Sequence, residues 1–388
     1  MLKMKSKIIS SISQNSSSHE IKKKTMKTMC KKLVLGISLL VATTTFAQKD
    51  ELKTLKKIYD KEFISKEEFS KYKDAVAKLE TVATTEDDKV ASSYYKSMLP
   101  LVEMSTLGVQ PNLVNAQKVF TPEEIEALAD VMLTTVAYEN KATKKVFAVE
   151  IAQNIKELNP IFTQMALAFN NANQFKEASK VFYTVYRLNS KDVSNLENAA
   201  ITALQASDFV AADKLYREIV AIGFKGTGLG VFQSKEVEVA KVIAAIAFET
   251  KNYEQAKIEY AIVNRLNTND ISSQINEATC YFKTNDLATY QTKITAVLAK
   301  DPNNAQLQYN VGYLNLSEDT KLVDEINANL KNRAKYDELM NKRKAMFTRA
   351  LPYFEKAYQL NASDENTKDI LRTAYETLGM KDKMAAVK

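Results

Sequence analysis

The 388 residues include no tryptophan, one histidine and two cysteines. The histidine, His19, and one of the cysteines, Cys30, both fall within the first 47 residues. Beyond Ala47 there is no histidine and a single thiol, Cys280. That shortage excludes Ser-His-Asp and Cys-His catalysis from the rest of the chain. It also excludes zinc sites built on His and Cys, and any intramolecular disulfide. Cys280 reads as a small buried apolar residue, or else as an unpaired redox-sensitive thiol. Helix breakers are scarce, with eight Gly and six Pro, and no sustained run of alternating β-branched residues occurs. The expected class is all-α.

The first 47 residues have the layout of an export signal. Leu33–Thr45 is an apolar run preceded by Lys27, Lys31 and Lys32 and followed by Phe46-Ala47. Basic, apolar and small-residue segments in that order make a secretory signal peptide, here cut after Ala47. The run is too short to span a membrane, which takes about 20 residues. Residues 1–25 are low-complexity Lys and Ser, so Met26 or Met29 reads as the initiator. A short amphipathic or buried helix in a cytosolic protein is the other reading. Cys30 precedes the apolar run, the wrong side for lipid attachment. A soluble periplasmic product is expected, not membrane-spanning.

Removing the leader also removes the basicity. The chain has 54 basic and 47 acidic residues, and residues 1–47 hold nine of the lysines and one glutamate. The remaining 45 basic and 46 acidic residues leave a net charge near −1. Nucleic-acid binding needs clustered positive charge, and none is expected here.

What the chain does have is a repeat. Ala178, Ala212, Ala256 and Tyr290 occupy one phase, and two of their three spacings are 34 residues. Phe175, Phe209, Tyr253 and Leu287 precede them by three, and Phe182, Tyr216, Tyr260 and Ile294 follow by four. Twelve residues before each lie Ala166, Ala200, Ala244 and Ala278. Small and large residues locked in phase at this period mark stacked helix–turn–helix units. Such an array escapes the usual size limit of one core because each unit packs only on its neighbours.

These positions resemble the tetratricopeptide repeat family, in which small residues at repeat positions 8 and 20 let two helices approach and large ones at 17 and 24 fill the space beside them. Repeats are expected at about 160–190, 193–226, 237–270 and 271–304, with Tyr290 replacing a small residue. A fifth begins at NVGYLNL, with Gly312 at position 8, and ends in RALPYFEKAYQLN. TKDILRTAYETLG supplies a final capping helix. The resemblance implies a right-handed superhelical solenoid over 159–388, after a divergent helical part at 48–158. In that first part, Ser65/Glu68 and Thr121/Glu124 read as capping boxes. Helices are expected near 50–61, 66–82, 86–106, 122–140 and 142–158, and Pro160 opens the first repeat.

Three departures from the repeat are candidates for function. A Gly-rich insert, 223–232, holds Gly223, Gly226, Gly228 and Gly230. It reads as a loop changing the pitch or touching a partner, since it lacks the Gly-Lys-Ser/Thr ending of a phosphate loop. A second insert, 317–349, reads as a protruding helical hairpin turning near Lys331–Lys335, with Pro352 kinking its second helix. The third feature is a polar row. The resemblance places position 6 of each first helix on the concave groove, here Gln164, Asn198, Val242, Asn276 and Asn310. Carboxamides suit an extended peptide backbone because they both donate and accept. Phe248, Phe282, Tyr309 and Tyr313 would add apolar contact. Paired carboxylates such as Glu123/Glu124 and Asp87/Asp88 point in different directions on a helix and read as solvated faces.

The expected function is a non-enzymatic scaffold that binds a protein or peptide in this groove and needs no cofactor and no metal. A homo-oligomer built through exposed ends or the arm is the structural alternative. A carboxylate-dependent envelope hydrolase is the enzymatic one.

Overall fold

The computed structural model describes residues 46–61, 63–107, 113–141, 145–223 and 236–387, and all regular structure among them is helical. The leader up to residue 45 and the Gly-rich insert beyond Gly223 lie outside the described residues. No described helix is long and apolar enough to cross a membrane. The chain forms two compact units, Met1–Glu236 and Val237–Lys388.

The first unit opens with α1 (Phe46–Tyr59), α2 (Lys66–Val82), α3 (Glu86–Ser97), α4 (Leu99–Met104), α5 (Leu113–Val119) and α6 (Pro122–Glu139). Reciprocal capping boxes start α2 at Ser65/Glu68, α3 at Thr85/Asp88 and α6 at Thr121/Glu124. In each, the side-chain oxygen takes an orphan amide and the carboxylate three residues on takes the cap's own N–H. The single helix read over 86–106 is in fact broken at Met98. Pro100, in the first turn of α4, has no N–H to extend the ladder of α3. A separate α5 appears where none was expected.

The remaining helices of this unit are α7 (Ala148–Asn171), α8 (Phe175–Leu188), α9 (Val193–Gln205) and α10 (Phe209–Ala221). The sequence reading ends a helix at 158 and opens the next at Pro160. The structure instead carries α7 straight through Pro160. Its start is fixed from outside: the buried Glu139 carboxylate accepts the amides of Val146, Phe147 and Ala148 at 2.7, 2.7 and 2.8 Å. A helix nucleated there by an anion on its first amides reaches position 160 already formed.

The second unit comprises α11 (Glu236–Glu249), α12 (Tyr253–Leu266), α13 (Ile271–Lys283), α14 (Leu287–Lys300), α15 (Ala305–Leu314), α16 (Asp319–Ala328), α17 (Arg333–Leu360), α18 (Glu365–Leu378) and α19 (Lys381–Ala386). In both units helices next to each other in sequence pack together: α7 on α8, α8 on α9 and α9 on α10, then α12 on α13, α13 on α14 and α14 on α15.

One turn recurs between the two helices of each of the first four repeats. Asn173, Ser207, Lys251 and Asn285 adopt φ of 59, 59, 61 and 62°, at spacings of 34, 44 and 34 residues. The longer step is the Gly-rich insert. The residue after each donates its N–H back to the helix, as Asp208 does to the Ala203 carbonyl at 3.0 Å. This is a Schellman closure of the first helix. In three of the four repeats the same residue's side chain caps the second helix: Asp208 accepts from Ala211, Asn252 from Gln255 and Asp286 from Thr289. One residue thus ends one helix and starts the next.

The in-phase small residues sit where the helices touch. Ala166, Ala178, Ala200, Ala212, Ala244, Ala256 and Ala278 have no exposed surface, and Phe182, Tyr216, Tyr260 and Ile294 are buried beside them. Each large side chain so buried is worth about 1.5–3 kcal/mol. In the fifth repeat the approach is close enough that a Cβ on Gly312 would lie 2.7 Å from Phe354 Cε1. Phe354 is fully buried and has no room to yield. Only glycine fits there.

The 317–349 insert forms α16 and the first half of α17. Leu322 and Ile326 pack with Leu339, Met346 and Phe347 in a cluster that continues into Phe354, Leu371 and Tyr375. Arg343 grips Asp319 with two nitrogens, at 2.7 and 3.0 Å. The turn falls at 329–332, two residues earlier than read, because Asn332 caps α17 at the Lys335 amide. Pro352 lies within α17 without ending it.

Candidate functional site

In the second unit the predicted aromatic residues divide into structural and available. Phe248, half-buried, packs edge-on against Tyr253 and Tyr260 at 5.5 and 6.3 Å. Asn276 donates to the Tyr260 hydroxyl at 3.1 Å, so Phe248 and Asn276 meet on one ring of the repeat core. Burial pushes the Tyr260 phenol up to about 12, opposed by the Asn276 bond. The carboxamide nitrogen of Asn276 is therefore occupied internally. Val242 is buried and offers no contact. Asn310 is half-buried and accepts from Gln306 at 2.9 Å, along its own helix.

The available groups are Phe282 and Tyr313. Phe282 is 47% exposed and leans on Tyr290 at 5.2 Å. Tyr313 is 54% exposed and stacks on Tyr309 at 6.0 Å with rings 15° apart. Tyr309 in turn contacts Phe354 at 5.9 Å. The stack joins an exposed ring to the core of the fifth repeat and holds it in place. Tyr290, at the position usually small, is buried and supports Phe282 from below.

In the first unit, Gln164 on α7 is exposed and Asn198 on α9 is half-buried. A cleft of about 440 Å³ also opens in this unit, on the side formed by the second helices. Glu123, Lys176, Lys180, Tyr183, Asp208 and Lys214 are among its lining residues. Lys180 bridges Glu123 and Glu126 at 3.1 and 2.9 Å. Lys214 lies 5.6 Å over the Tyr183 ring, whose hydroxyl donates to Glu218 at 3.0 Å. Burial and the Glu218 carboxylate push the Tyr183 phenol up to about 12, so it stays a donor at neutral pH. The cleft presents mixed charges, several already paired. Sequence reasoning missed it, though Lys180 and Lys214 are 34 residues apart in one repeat phase.

A buried polar network lies earlier in the unit. Glu150, on the first turn of α7, accepts from the Tyr94 hydroxyl, and Asn154 donates to Tyr59 at 2.9 Å. Burial raises the Glu150 carboxyl above its ordinary range, with Tyr94 opposing. Tyr94 packs against Phe147 at 4.3 Å, and Glu150 itself is half-buried. Cys280 is fully buried, and burial raises its thiol to about 11. Among the described residues, no three His, Cys, Asp or Glu side chains are placed to hold a metal ion.

No family model and no curated protein sequence matches the chain. Similar solved structures include YrrB, described as a tetratricopeptide protein with an unusual peptide-binding site: 16% identity over 58% of this chain and 97% of that one, TM-score 0.37. A tetratricopeptide repeat protein from Parabacteroides merdae is 12% identical over 85% of this chain and 99% of its own, TM-score 0.28. Yeast Tom70 is 12% identical over 89% and 67%, TM-score 0.33. At TM-scores this low the likenesses add nothing to the argument from helix packing. The described helix pairs, with their buried alanines in phase and a shared turn between helices, have the arrangement that the tetratricopeptide resemblance implies.

Proposed function

We propose that the chain is a non-enzymatic periplasmic scaffold that holds a protein or peptide against the first helices of its repeats. The observation that carries this reading is the exposure of Phe282 and Tyr313. Elsewhere in the repeats large aromatics such as Phe182, Tyr216 and Tyr260 are buried, yet these two stand out of a rigid frame. Each is held by a second ring, so docking orders little that is not already ordered. The carboxamide row contributes less than the sequence suggests, because Asn276 serves Tyr260. Asn310, half-buried on the same helix as Tyr313, remains as a polar contact of the second unit, and Gln164 and Asn198 remain as polar positions of the first. The export signal of the leader supports the periplasmic placement, and cell fractionation of a tagged chain tests it.

The experiment is affinity capture from envelope extract with the chain and with a Phe282→Ser/Tyr313→Ser variant. Both positions are about half exposed, so helicity should be unchanged. A partner kept by the parent and lost by the variant supports the reading. A partner kept equally by both removes the aromatic pair from the site. Nothing captured, with mass rising with concentration in light scattering, points to a homo-oligomer instead.

A further inference from the structure

The α16–α17 hairpin ends in a tip that the groove reading leaves unused. Leu330 sits in its turn and is 64% exposed. Around it, Ile326–Tyr336 contains Lys331, Arg333 and Lys335 and no carboxylate. Residues 330–334 are all exposed. Lys331 has no carboxylate partner among the described residues. Arg333 and Lys335 pair with Asp337 and Glu338 at 2.9 and 3.0 Å, each within one turn of the same helix. The Arg333 side chain is 84% exposed even so. Exposed pairs of this kind are weak and exchange readily for other anions. Tyr336, half-buried below the Arg333 guanidinium at 5.9 Å, adds an aromatic of the type enriched at membrane interfaces.

We propose that this tip docks on a bilayer surface rich in anionic phospholipid, with Leu330 entering the headgroup–acyl boundary and Lys331, Arg333 and Lys335 meeting phosphates. Peripheral attachment takes two signals, an apolar insertion and a basic cluster, and the tip supplies both within six residues. The shape favours lipid over an acidic protein. A four-residue turn is far smaller than the roughly 800 Å² per partner of a stable protein interface, whereas a bilayer admits a single wedge. The charges also orient the approach. Asp324 and Glu325, exposed on α16 just behind the tip, are repelled by an anionic surface and keep the hairpin upright. The proposal is independent of the groove.

The absence of tryptophan from the chain provides the test. In the full chain, Leu330→Trp becomes a fluorophore reporting only on the tip. Vesicles of phosphatidylcholine alone and with one third phosphatidylglycerol are titrated in. The expected result is a blue shift and shielding from aqueous quencher with anionic vesicles only, reversed by salt. Lys331→Glu/Arg333→Glu/Lys335→Glu on that background should weaken vesicle affinity by at least about 100-fold, since losing each basic residue near an anionic surface costs roughly fivefold and the new carboxylates add repulsion. Cosedimentation of the unsubstituted chain should follow the same lipid preference. Val210→Trp, at an 84% exposed position in the first unit, should not shift, which separates tip docking from adsorption through the lysines of the leader. The proposal is overturned by no shift at the tip, by an equal shift with neutral vesicles, or by a shift that survives charge reversal. A tip that responds to polyglutamate and not to vesicles overturns it too, in favour of an acidic polypeptide.

Discussion

The helices before Phe147 and the repeats after it hold their ends in different ways. In the repeats the devices are local: an αL residue, the Schellman bond beside it, and a cap three residues from the amide it serves. The earlier helices have local boxes too, at Ser65, Thr85 and Thr121, and add to them devices that reach across the sequence. The Tyr72 hydroxyl donates to the Tyr95 carbonyl at 2.8 Å, Asn154 bonds Tyr59 from 95 residues away, and Gln48 reaches both Val82 and Asp88. A local device that fails frays one helix end. A long-range buried one that fails leaves polar groups without water or partner, and the cost rises accordingly.

Glu139 puts the largest difference on that comparison. Glu139→Ala removes the acceptor of three amides at once and should destabilise the first unit by about 3–5 kcal/mol. Asp208→Ala, the loss of one local cap in the repeats, should cost about 1 kcal/mol. Urea midpoints rank the two. Hydrogen exchange at Val146, Phe147 and Ala148 should accelerate in the first variant and not in the second. Equal costs would erase the distinction between the two regions.

Glu150 sharpens the comparison through pH. Its carboxyl is raised in the folded state, mainly by burial, so the folded chain holds that proton more tightly than the unfolded chain. The stability this contributes is fully present below the ordinary carboxylate range and lost as pH rises through the folded value. Glu150→Gln removes the ionisable group while keeping an acceptor for Tyr94. The variant should lose this decline and be more stable than the parent at neutral pH. Thermal midpoints of parent and variant between acid and neutral pH check it, and parallel curves would remove Glu150 as the source.

The same contrast decides what was legible in the sequence. The buried alanines and their aromatic partners recur because each repeat solves the same packing problem, so phase alone located them. The boxes at Ser65 and Thr121 were legible for the same reason, both partners lying within four residues. The start of α7 was not. Its cap position is Phe147, which has no capping side chain, and the acceptor comes from Glu139 on the preceding helix. Asn276 belonged to the expected row, but its engagement depends on Tyr260, which only the packing of α12 on α13 brings near. Phe282 and Tyr313 are legible from their repeat positions. The rings that hold them, Tyr290 and Tyr309, acquire that role only in three dimensions.

The smallest expected effect tests the local device itself. Lys251 holds φ of 61° at the turn between α11 and α12, where Asn173 and Asn285 occupy equivalent positions. A side chain with an ordinary Cβ is strained in that region, glycine is not, and asparagine is tolerated through its short polar side chain. Lys251→Gly relieves the strain but gives the unfolded chain more freedom, which offsets part of the gain. The net should be a stabilisation of about 0.5–1 kcal/mol, and Asn285→Gly should give less because asparagine starts nearer the optimum. Chemical denaturation of both variants against the parent resolves the order. If Lys251→Gly destabilises, the αL conformation is being imposed by the packing of α11 and α12 rather than chosen by the turn. The repeats would then depend on long-range contacts as the earlier helices do.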